Sequence, residues 1–445
     1  MAPEDYQYLD KYNTPGTSED VNRIIVVGVG GGGNNAVDHM FKQGVEHVSF
    51  CVVNTDDQAL KSSSVPQKLL IGPTITKGRG AGNNPDIAHA AAEESATDIA
   101  NIFSDDYDMA FITAGMGGGT GTGAGPVVAR IAKERGLLTI GIVTIPFMFE
   151  GMKKIAKAIN GADEMSKYVD AIMIVNNERL IEIYPDFEFE SAFAKADDIL
   201  STAASSIAEI ITLKGYINLD FNDVNTTLRE GGTAIIAVGY GEGENRVTKA
   251  INDALHSPLL KNTDILTSKR ILFNIYFSRN ATQKFKASEA KELNDFIRRV
   301  EAEVDVIWGI TYDETLGDKV KFTILASGFD VTVNDDKTIK SPVDSAPATS
   351  ADHIDIGKIG SIYGVEKVEN IERERETRNY ILFAPDNIDN DAVIEEFATT
   401  PTCSRDKRLK PATPAAAAQP AQSAAQQPAQ DAQPGTFSIT FDDAD

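Results

Sequence analysis

From Val21 to about Pro185 the apolar residues fall into short continuous runs rather than alternating with polar ones. Arg23–Gly28 (RIIVVG), Val48–Asn54 (VSFCVVN), Met109–Ala114 (MAFITA), Leu138–Ile145 (LTIGIVTI) and Ala171–Asn176 (AIMIVN) each read as a strand buried on both faces. Helical patterns stand between them: Asn35–Phe41, the Ala- and Glu-rich stretch Ala88–Phe103, and about Gly125 to Glu134. Strands of this kind alternating with helices predict a parallel sheet covered on both sides.

The period then changes. Phe193, Ala196, Leu200, Ala203, Ile207 and Ile210 recur in steps of three and four, which predicts one long amphipathic helix over Phe189–Leu213. Its small residues, Ala203 to Ser206, would let neighbouring elements approach closely. A second unit follows from about Gly231 to Gly328. Its strands are Ala234–Tyr240, Ile271–Phe277, Val304–Ile310 and Lys321–Ala326, and its helices Glu244–Leu255 and Ser288–Val300. That order, β-α-β-α-β-β, predicts a smaller mixed α/β domain. After about Asp330 the core signal fades. Lys410–Gly435 is mostly Ala, Gln and Pro and buries too little apolar surface to offset its ordering entropy, so a disordered linker is expected.

Composition narrows the class. The chain has 445 residues, about three times a typical domain of ~150, so several folded units are expected. Acidic residues number 66 and basic ones 42, a net charge of −24, which disfavours nucleic acid and anionic membrane as partners. The polar, acidic arm 1–20 has none of the marks of a signal peptide, and no apolar run is long enough to cross a bilayer. With Cys51 and Cys403 far apart and five scattered His, neither a disulfide framework nor a Cys/His metal site is expected, and a reducing cytoplasm fits.

Two glycine loops carry the candidate chemistry. Gly28-Val29-Gly30-Gly31-Gly32-Gly33-Asn34-Asn35 contains GxGxxG between a strand and a helix, where backbone N–H groups can approach a phosphate. Alone it favours a dinucleotide site, with Asp56 after the next strand placed to meet a ribose. Gly115 to Gly123 (GMGGGTGTG) has the same strand and helix context and reads as a second anion-binding nest. Two such loops on neighbouring strands can enclose a di- or triphosphate from both sides. The P-loop signature GxxxxGK[ST] is missing, which closes that route.

GGGTGTG, together with GVGGGGNNAV, Asn54-Thr55-Asp56 and PFMFEG at Pro146–Gly151, resembles the FtsZ family of bacterial tubulin-like division GTPases, from about Arg23 to Gly328. The resemblance implies a tubulin-like α/β fold: a Rossmann-type parallel-sheet GTPase domain (21–187), a long central helix (188–214), a catalytic loop with its following helix (215–230) and a smaller α/β domain (231–330). A flexible arm (1–20), a largely disordered linker (331–435) and an acidic terminal peptide (436–445) complete it. By that resemblance Gly31, Gly32, Gly33, Asn34 and Asn35 line the nucleotide. Gly117, Gly118, Gly119, Thr120, Gly121 and Thr122 form the second loop, with Gly119, Thr120 and Gly121 on the β- and γ-phosphates. Asn54 and Asp56 sit near ribose, phosphate and metal, and Glu150 contacts the ribose. Lys154 stands where the family often has Arg, which keeps the charge without the planar fork. Asp197, beside Asp198, reads guanine, and Phe193 either stacks on the base or packs in the core.

Gly215 to Val224 (GYINLDFNDV) offers two readings. From the residues alone, Asp220 or Asn222 caps the next helix with Asp223 in its first turn. The resemblance instead implies a loop inserted into a neighbouring subunit's nucleotide pocket, where Asn218, Asp220 and Asp223 complete the site. It further implies GTP and GDP as ligands, Mg²⁺ held mainly by the nucleotide, head-to-tail self-association into a mid-cell division ring, and division partners and membrane tethers docked on the tail. Thr436–Asp445, with Phe437 and Phe441, departs from the family's usual terminal peptide and reads equally as a docking motif or an acidic tail. The rival readings are an NAD-dependent oxidoreductase, which leaves GGGTGTG without a role, and a tubulin-like relative that binds nucleotide without turnover.

Overall fold

The apolar runs become the strands of one mixed sheet. β1 (Ile24–Val29), β2 (Ser49–Asn54), β3 (Gln67–Leu70), β4 (Met109–Gly115), β5 (Leu138–Ile145) and β6 (Ala171–Asn176) pair in parallel in the order β3-β2-β1-β4-β5-β6. β1 is buried along its whole length, as doubly covered parallel strands require. The computed structural model describes residues 23–183, 189–256, 265, 268–286, 288–298, 300, 304–329, 356–364 and 367–368. The expected arm (1–20), the terminal peptide (436–445), most of 331–435 and the side chain of Phe193 lie outside these residues.

Helices cover this half: α1 (Gly30–Gln43), α2 (Asp57–Ser62), α3 (Pro73–Thr76), α4 (Pro85–Glu94), α5 (Ala96–Ile102), α6 (Thr120–Glu134), α7 (Met152–Ser166) and α8 (Asn177–Ile183). Both glycine loops turn out to be helix starts: α1 begins at Gly30 rather than Asn35, and α6 at Thr120 rather than Gly125. The single helix expected over Ala88–Phe103 is two, broken at Ser95. That residue leaves helical geometry, with ψ 18°, and its buried hydroxyl accepts from Gly72 N–H at 3.0 Å. α7 was not singled out by the pattern, although Met152, Ile155, Ile159, Ala162 and Met165 give it a buried face.

α9 (Phe189–Thr212) is the long amphipathic helix. Leu200, Ala203, Ala204, Ile207, Ala208 and Ile210 share one core with β1, β4, β5 and β6, and with Ala234, Ile236, Leu272 and Leu325 beyond it. β7 (Gly215–Ile217), α10 (Phe221–Leu228), β8 (Gly232–Gly241), α11 (Arg246–Leu255), β9 (Arg270–Phe277), α12 (Ala290–Ile297), β10 (Asp305–Tyr312) and β11 (Val320–Ser327) follow. They extend the sheet as β6-β8-β11-β9-β10-β7, eleven strands in all among the described residues. The junction is short. β6 and β8 pair only at Ala171 with Gly232 and Ile172 with Thr233. On the other face, Phe273, Ile275, Phe322 and Ile324 pack against Val247, Ile251, Leu293 and Phe296 of α11 and α12.

These elements belong to one compact unit, Met1–Asp355; Ile356–Asp445 forms another. There α13 (Ile356–Tyr363) stands where the core signal was expected to have faded. Its Ile356, Ile359 and Tyr363 recur at helical spacing, and Ile359 and Tyr363 are buried.

Candidate functional site

The order β3-β2-β1-β4-β5-β6 reverses direction between β1 and β4. In an open parallel sheet the crevice beyond the carboxyl ends of the strands at such a point is where ligands bind. Both glycine loops leave the sheet here, one from each of these strands, and α1 and α6 start from them with no acidic residue in either first turn. Two helix N-termini therefore present unpaired N–H groups and positive dipole ends to one crevice.

Glycine is needed first for the chain's own packing. A Cβ on Gly33 would lie 2.3 Å from Thr113 O, one on Gly28 2.5 Å from Gly33 O, and one on Gly121 2.4 Å from Gly115 O. The loops interlock backbone to backbone. Gly31 and Gly118 differ: a Cβ on either meets nothing within 4 Å. They face open space, where a ligand can approach the main chain.

Side chains fasten the loops from beneath. Asn34 is 5% exposed. With its amide nitrogen directed inward, it donates to Gly28 O at 2.9 Å and Gly30 O at 3.0 Å and accepts from Asn54 Nδ2 at 3.0 Å. Asn54 Oδ1 accepts from Asp56 N–H at 3.2 Å. Thr122 Oγ1 is buried and accepts from Gly117 N–H at 2.8 Å, and the Thr55 and Thr120 hydroxyls pair at 2.7 Å. Asp56 caps α2, accepting from Gln58 and Ala59 N–H. Asn34, Asn54, Asp56 and Thr122 thus hold loop geometry, while Gly31, Gly32 and Asn35 are exposed and Gly118 and Thr120 half-exposed.

The rim adds charge. Glu150 accepts from Phe147 N–H at 2.9 Å and pairs with Lys154, which packs beside Gly117. On α9, Asp198 Oδ1 accepts from His39 Nε2 at 2.7 Å and Gln43 Nε2 at 3.2 Å, both on α1. Its neighbour Asp197 is half-buried. Burial, reinforced by the Asp198 charge and opposed by His39, pushes its carboxyl up to about 6.

A third loop at this site was missed. In Lys77–Asn84 (KGRGAGNN), Lys77, Gly78, Gly80, Gly82 and Asn83 all have positive φ. The segment lies across the second glycine loop: a Cβ on Gly119 would be 3.0 Å from both Ala81 Cβ and Asn84 N. Glycine at every second position was the available signal.

The acidic loop is internally satisfied. Asp220 accepts from Asn222 N–H at 2.8 Å and Asp223 N–H at 3.1 Å, and Asp223 Oδ2 accepts from Asp220 N–H at 2.8 Å, a reciprocal capping box. Asn218 Oδ1 accepts from Gly215 N–H at 2.6 Å. α10, which this loop starts, leads into Gly232, whose N–H bonds Asp170 O at the entry to β6. Gly232 thus lies at the edge of the parallel strands opposite the crevice, and among the described residues none of the side-chain hydrogen bonds of Asn218, Asp220 and Asp223 reaches the glycine loops.

Comparison with known proteins settles the class. The profile of the Tubulin/FtsZ family, GTPase domain, matches residues 23–185, and that of the FtsZ family, C-terminal domain, matches residues 232–330. A cell division protein FtsZ of Porphyromonas gingivalis is 47% identical over 397 residues, covering 86% of this chain and 85% of the relative. The chain belongs to the FtsZ family. Its resemblance at the glycine loops is therefore one of descent, and the NAD-dependent reading falls. The cell division protein FtsZ of Wigglesworthia glossinidia brevipalpis is 42% identical over 314 residues, covering 70% of this chain and 80% of the relative. An empty FtsZ dimer from M. jannaschii superposes with TM-score 0.63 at 37% identity, over 74% of this chain and 93% of that one. CetZ2 from Haloferax volcanii, a GTPγS-bound protofilament, shares the fold: TM-score 0.60 at 17% identity, over 79% and 99%. The FtsZ family is one of tubulin-like cell-division GTPases, and this chain carries its GTPase domain and binds guanine nucleotide.

Proposed function

We propose that this chain polymerises head to tail with GTP bound and hydrolyses that GTP at the contact between subunits, with Asn218, Asp220 and Asp223 supplied by the neighbour. The carrying observation is the separation within one chain. The phosphate-binding backbone sits at the carboxyl edge of β1 and β4, while the acidic loop opens a helix, α10, that runs into Gly232 at the opposite edge, beside the entry to β6. A stack in one orientation brings these edges together, and such a contact repeats without closing, which makes a filament. The M. jannaschii FtsZ structure, a dimer, supports self-association in this family.

Each part of the site has a task. Backbone N–H groups of Gly31, Gly32 and Gly118 to Gly121, at the starts of α1 and α6, hold the phosphates. Asn35 and the Thr120 hydroxyl add hydrogen bonds. Glu150 meets the ribose, with Lys154 holding its carboxylate in place. Asp197 accepts from guanine N1–H and N2–H, donors that adenine lacks. The neighbour's Asp220 and Asp223 orient the attacking water. Hydrolysis of this kind depends mainly on positioning and charge stabilisation, so groups supplied by a second subunit suffice. Among the described residues no three carboxylates, His or Cys converge as a metal cage. Mg²⁺, carried mainly by the nucleotide, would supply positive charge against the phosphates.

In the cell this reading places the chain in a mid-cell division ring, bound to division proteins and membrane tethers through the tail. No described helix is long and apolar enough to cross a membrane. The test is GTP turnover per subunit against protein concentration, with Mg²⁺ and parallel pelleting. A threshold concentration for both is expected. Turnover per subunit independent of concentration means that one chain holds the whole site, and the shared-site reading fails.

A further inference from the structure

The far end of α9 is fastened to the second half of the sheet by charge. Glu209, in the last turn of α9, pairs with Lys321 of β11. Lys321 is 8% exposed, and its ammonium lies 4.6 Å from the centre of the Tyr276 ring, its cross-strand partner on β9. The same sheet face continues polar, with Asn274 opposite Thr323 and donating to Thr311 Oγ1 at 2.8 Å. Further back, α9 is held by Ala203, Ala204, Ile207 and Ile210 in apolar packing.

An ion pair at such a place adds little net stability, because desolvation cancels most of the attraction and apolar groups of the same shape often serve as well. What it supplies is a defined position. The acidic loop begins directly after α9. β7 then pairs with β10, Ile217 opposite Ile310. Leu219 packs on the same strand, so closely that a Cβ on Gly309 would lie 2.7 Å from Leu219 Cγ. The loop thus hangs between the end of α9 and the sheet that carries Lys321, and the Lys321–Glu209 pair ties these two supports to each other.

We propose that Lys321 is a positioning residue for GTP turnover, setting the stance of Asn218, Asp220 and Asp223 by holding Glu209 of the central helix against β11. This rests on the reading that the loop completes a neighbour's site.

The test compares Lys321→Met, Lys321→Arg, Glu209→Gln and the Met/Gln double variant in the full chain. The readouts are turnover per polymerised subunit, GTP affinity below the polymerisation threshold, and thermal melting. Lys321→Met and Glu209→Gln are each expected to lower turnover about tenfold, since small misplacement of reacting groups is costly. GTP affinity of the monomer stays within about twofold, because the crevice is untouched. Lys321→Arg restores most of the turnover, and the double variant is no worse than either single one, as expected for two residues acting as a unit. Unchanged turnover in Lys321→Met, with or without a lower melting temperature, makes the pair merely structural and overturns the proposal. Should Lys321→Met not fold by circular dichroism, Glu209→Gln, at a 34% exposed side chain, decides by itself. Asp223→Ala run alongside separates the two ideas. Normal turnover there defeats the shared-site reading, whereas loss there with normal turnover in Lys321→Met defeats only the positioning role.

Discussion

The glycine crevice and the acidic loop are built on opposite principles. In the crevice the side chains have been removed, and main chain meets main chain at distances that no Cβ would allow, as at Gly33 and Gly121. Its polar side chains, Asn34, Asn54 and Thr122, are spent beneath the loops, where they hold the main chain in place. In the loop the side chains are the structure: Asp220 and Asp223 cap each other's backbone and remain solvent-accessible. A binding site made of backbone is finished within its own chain and tolerates little change. A pair of carboxylates that already satisfies its own helix can be offered to another molecule without reorganising.

The contrast breaks most sharply at Asp223. Asp223→Ala should retain GTP binding and lose turnover by about a hundredfold or more, as removal of a group that stabilises the reacting centre does. Phosphate release and nucleotide binding, measured on one sample, check this; turnover near the parent value removes the loop from the mechanism. Because Asp223 also closes the capping box, that variant should lose about 1 kcal/mol of stability as well. Asp220→Asn separates these effects. Asn caps as well as Asp, so melting should be unchanged while the missing charge lowers turnover about tenfold.

Within the crevice, two glycines should behave in opposite ways. Gly33→Ala drives a methyl into Thr113 O and should cost about 1–3 kcal/mol or more, with nucleotide binding falling alongside melting temperature. Gly31→Ala meets nothing in the chain and lies in the first turn of α1, so melting should hold or rise by up to about 1 kcal/mol in stability. GTP affinity should nevertheless drop about tenfold, because the methyl stands where phosphate approaches. If Gly31→Ala binds GTP normally, the open space at this glycine is not the phosphate site.

Much of this was legible before the fold was known, for reasons that differ by region. β1, β4 and β5 announce themselves as apolar runs because both faces are buried, and α9 by its period. The glycine loops are legible because backbone approach leaves glycine no substitute. What stayed hidden depends on partners distant in sequence. The break at Ser95 is set by Gly72, more than twenty residues earlier. The continuity of the sheet rests on two residue pairs between β6 and β8. The third loop, Lys77–Asn84, owes its form to left-handed residues that a composition count does not order. At Asp220 the plain reading of the residues, a helix cap, is what the chain displays. The role implied by the family resemblance needs a second subunit, which no pattern within one chain can supply.

The smallest expected effect concerns Asp197, and its sign follows from burial. Its carboxyl titrates at about 6 in the folded chain against 3.8 when exposed. Between those values the folded state holds the proton more tightly than the unfolded one. The stability linked to this group is therefore greatest below pH ~4, declines as pH rises towards ~6, and stays low above that. Asp197→Asn should thus be neutral or stabilising at pH 7, unlike loss of a paired carboxylate. Guanine recognition runs the other way, since only the ionised form accepts from two N–H groups. GTP affinity should fall as pH drops through ~6, by no more than about tenfold per unit for a single proton, while ATP binding stays weak throughout. Asp197→Ala should flatten that profile and narrow the preference for GTP over ATP. Asp198→Ala is the informative neighbour, because His39 and Gln43 already occupy its Oδ1. A flattened profile there, with Asp197→Ala unchanged, would transfer guanine recognition to Asp198 and make His39 its support.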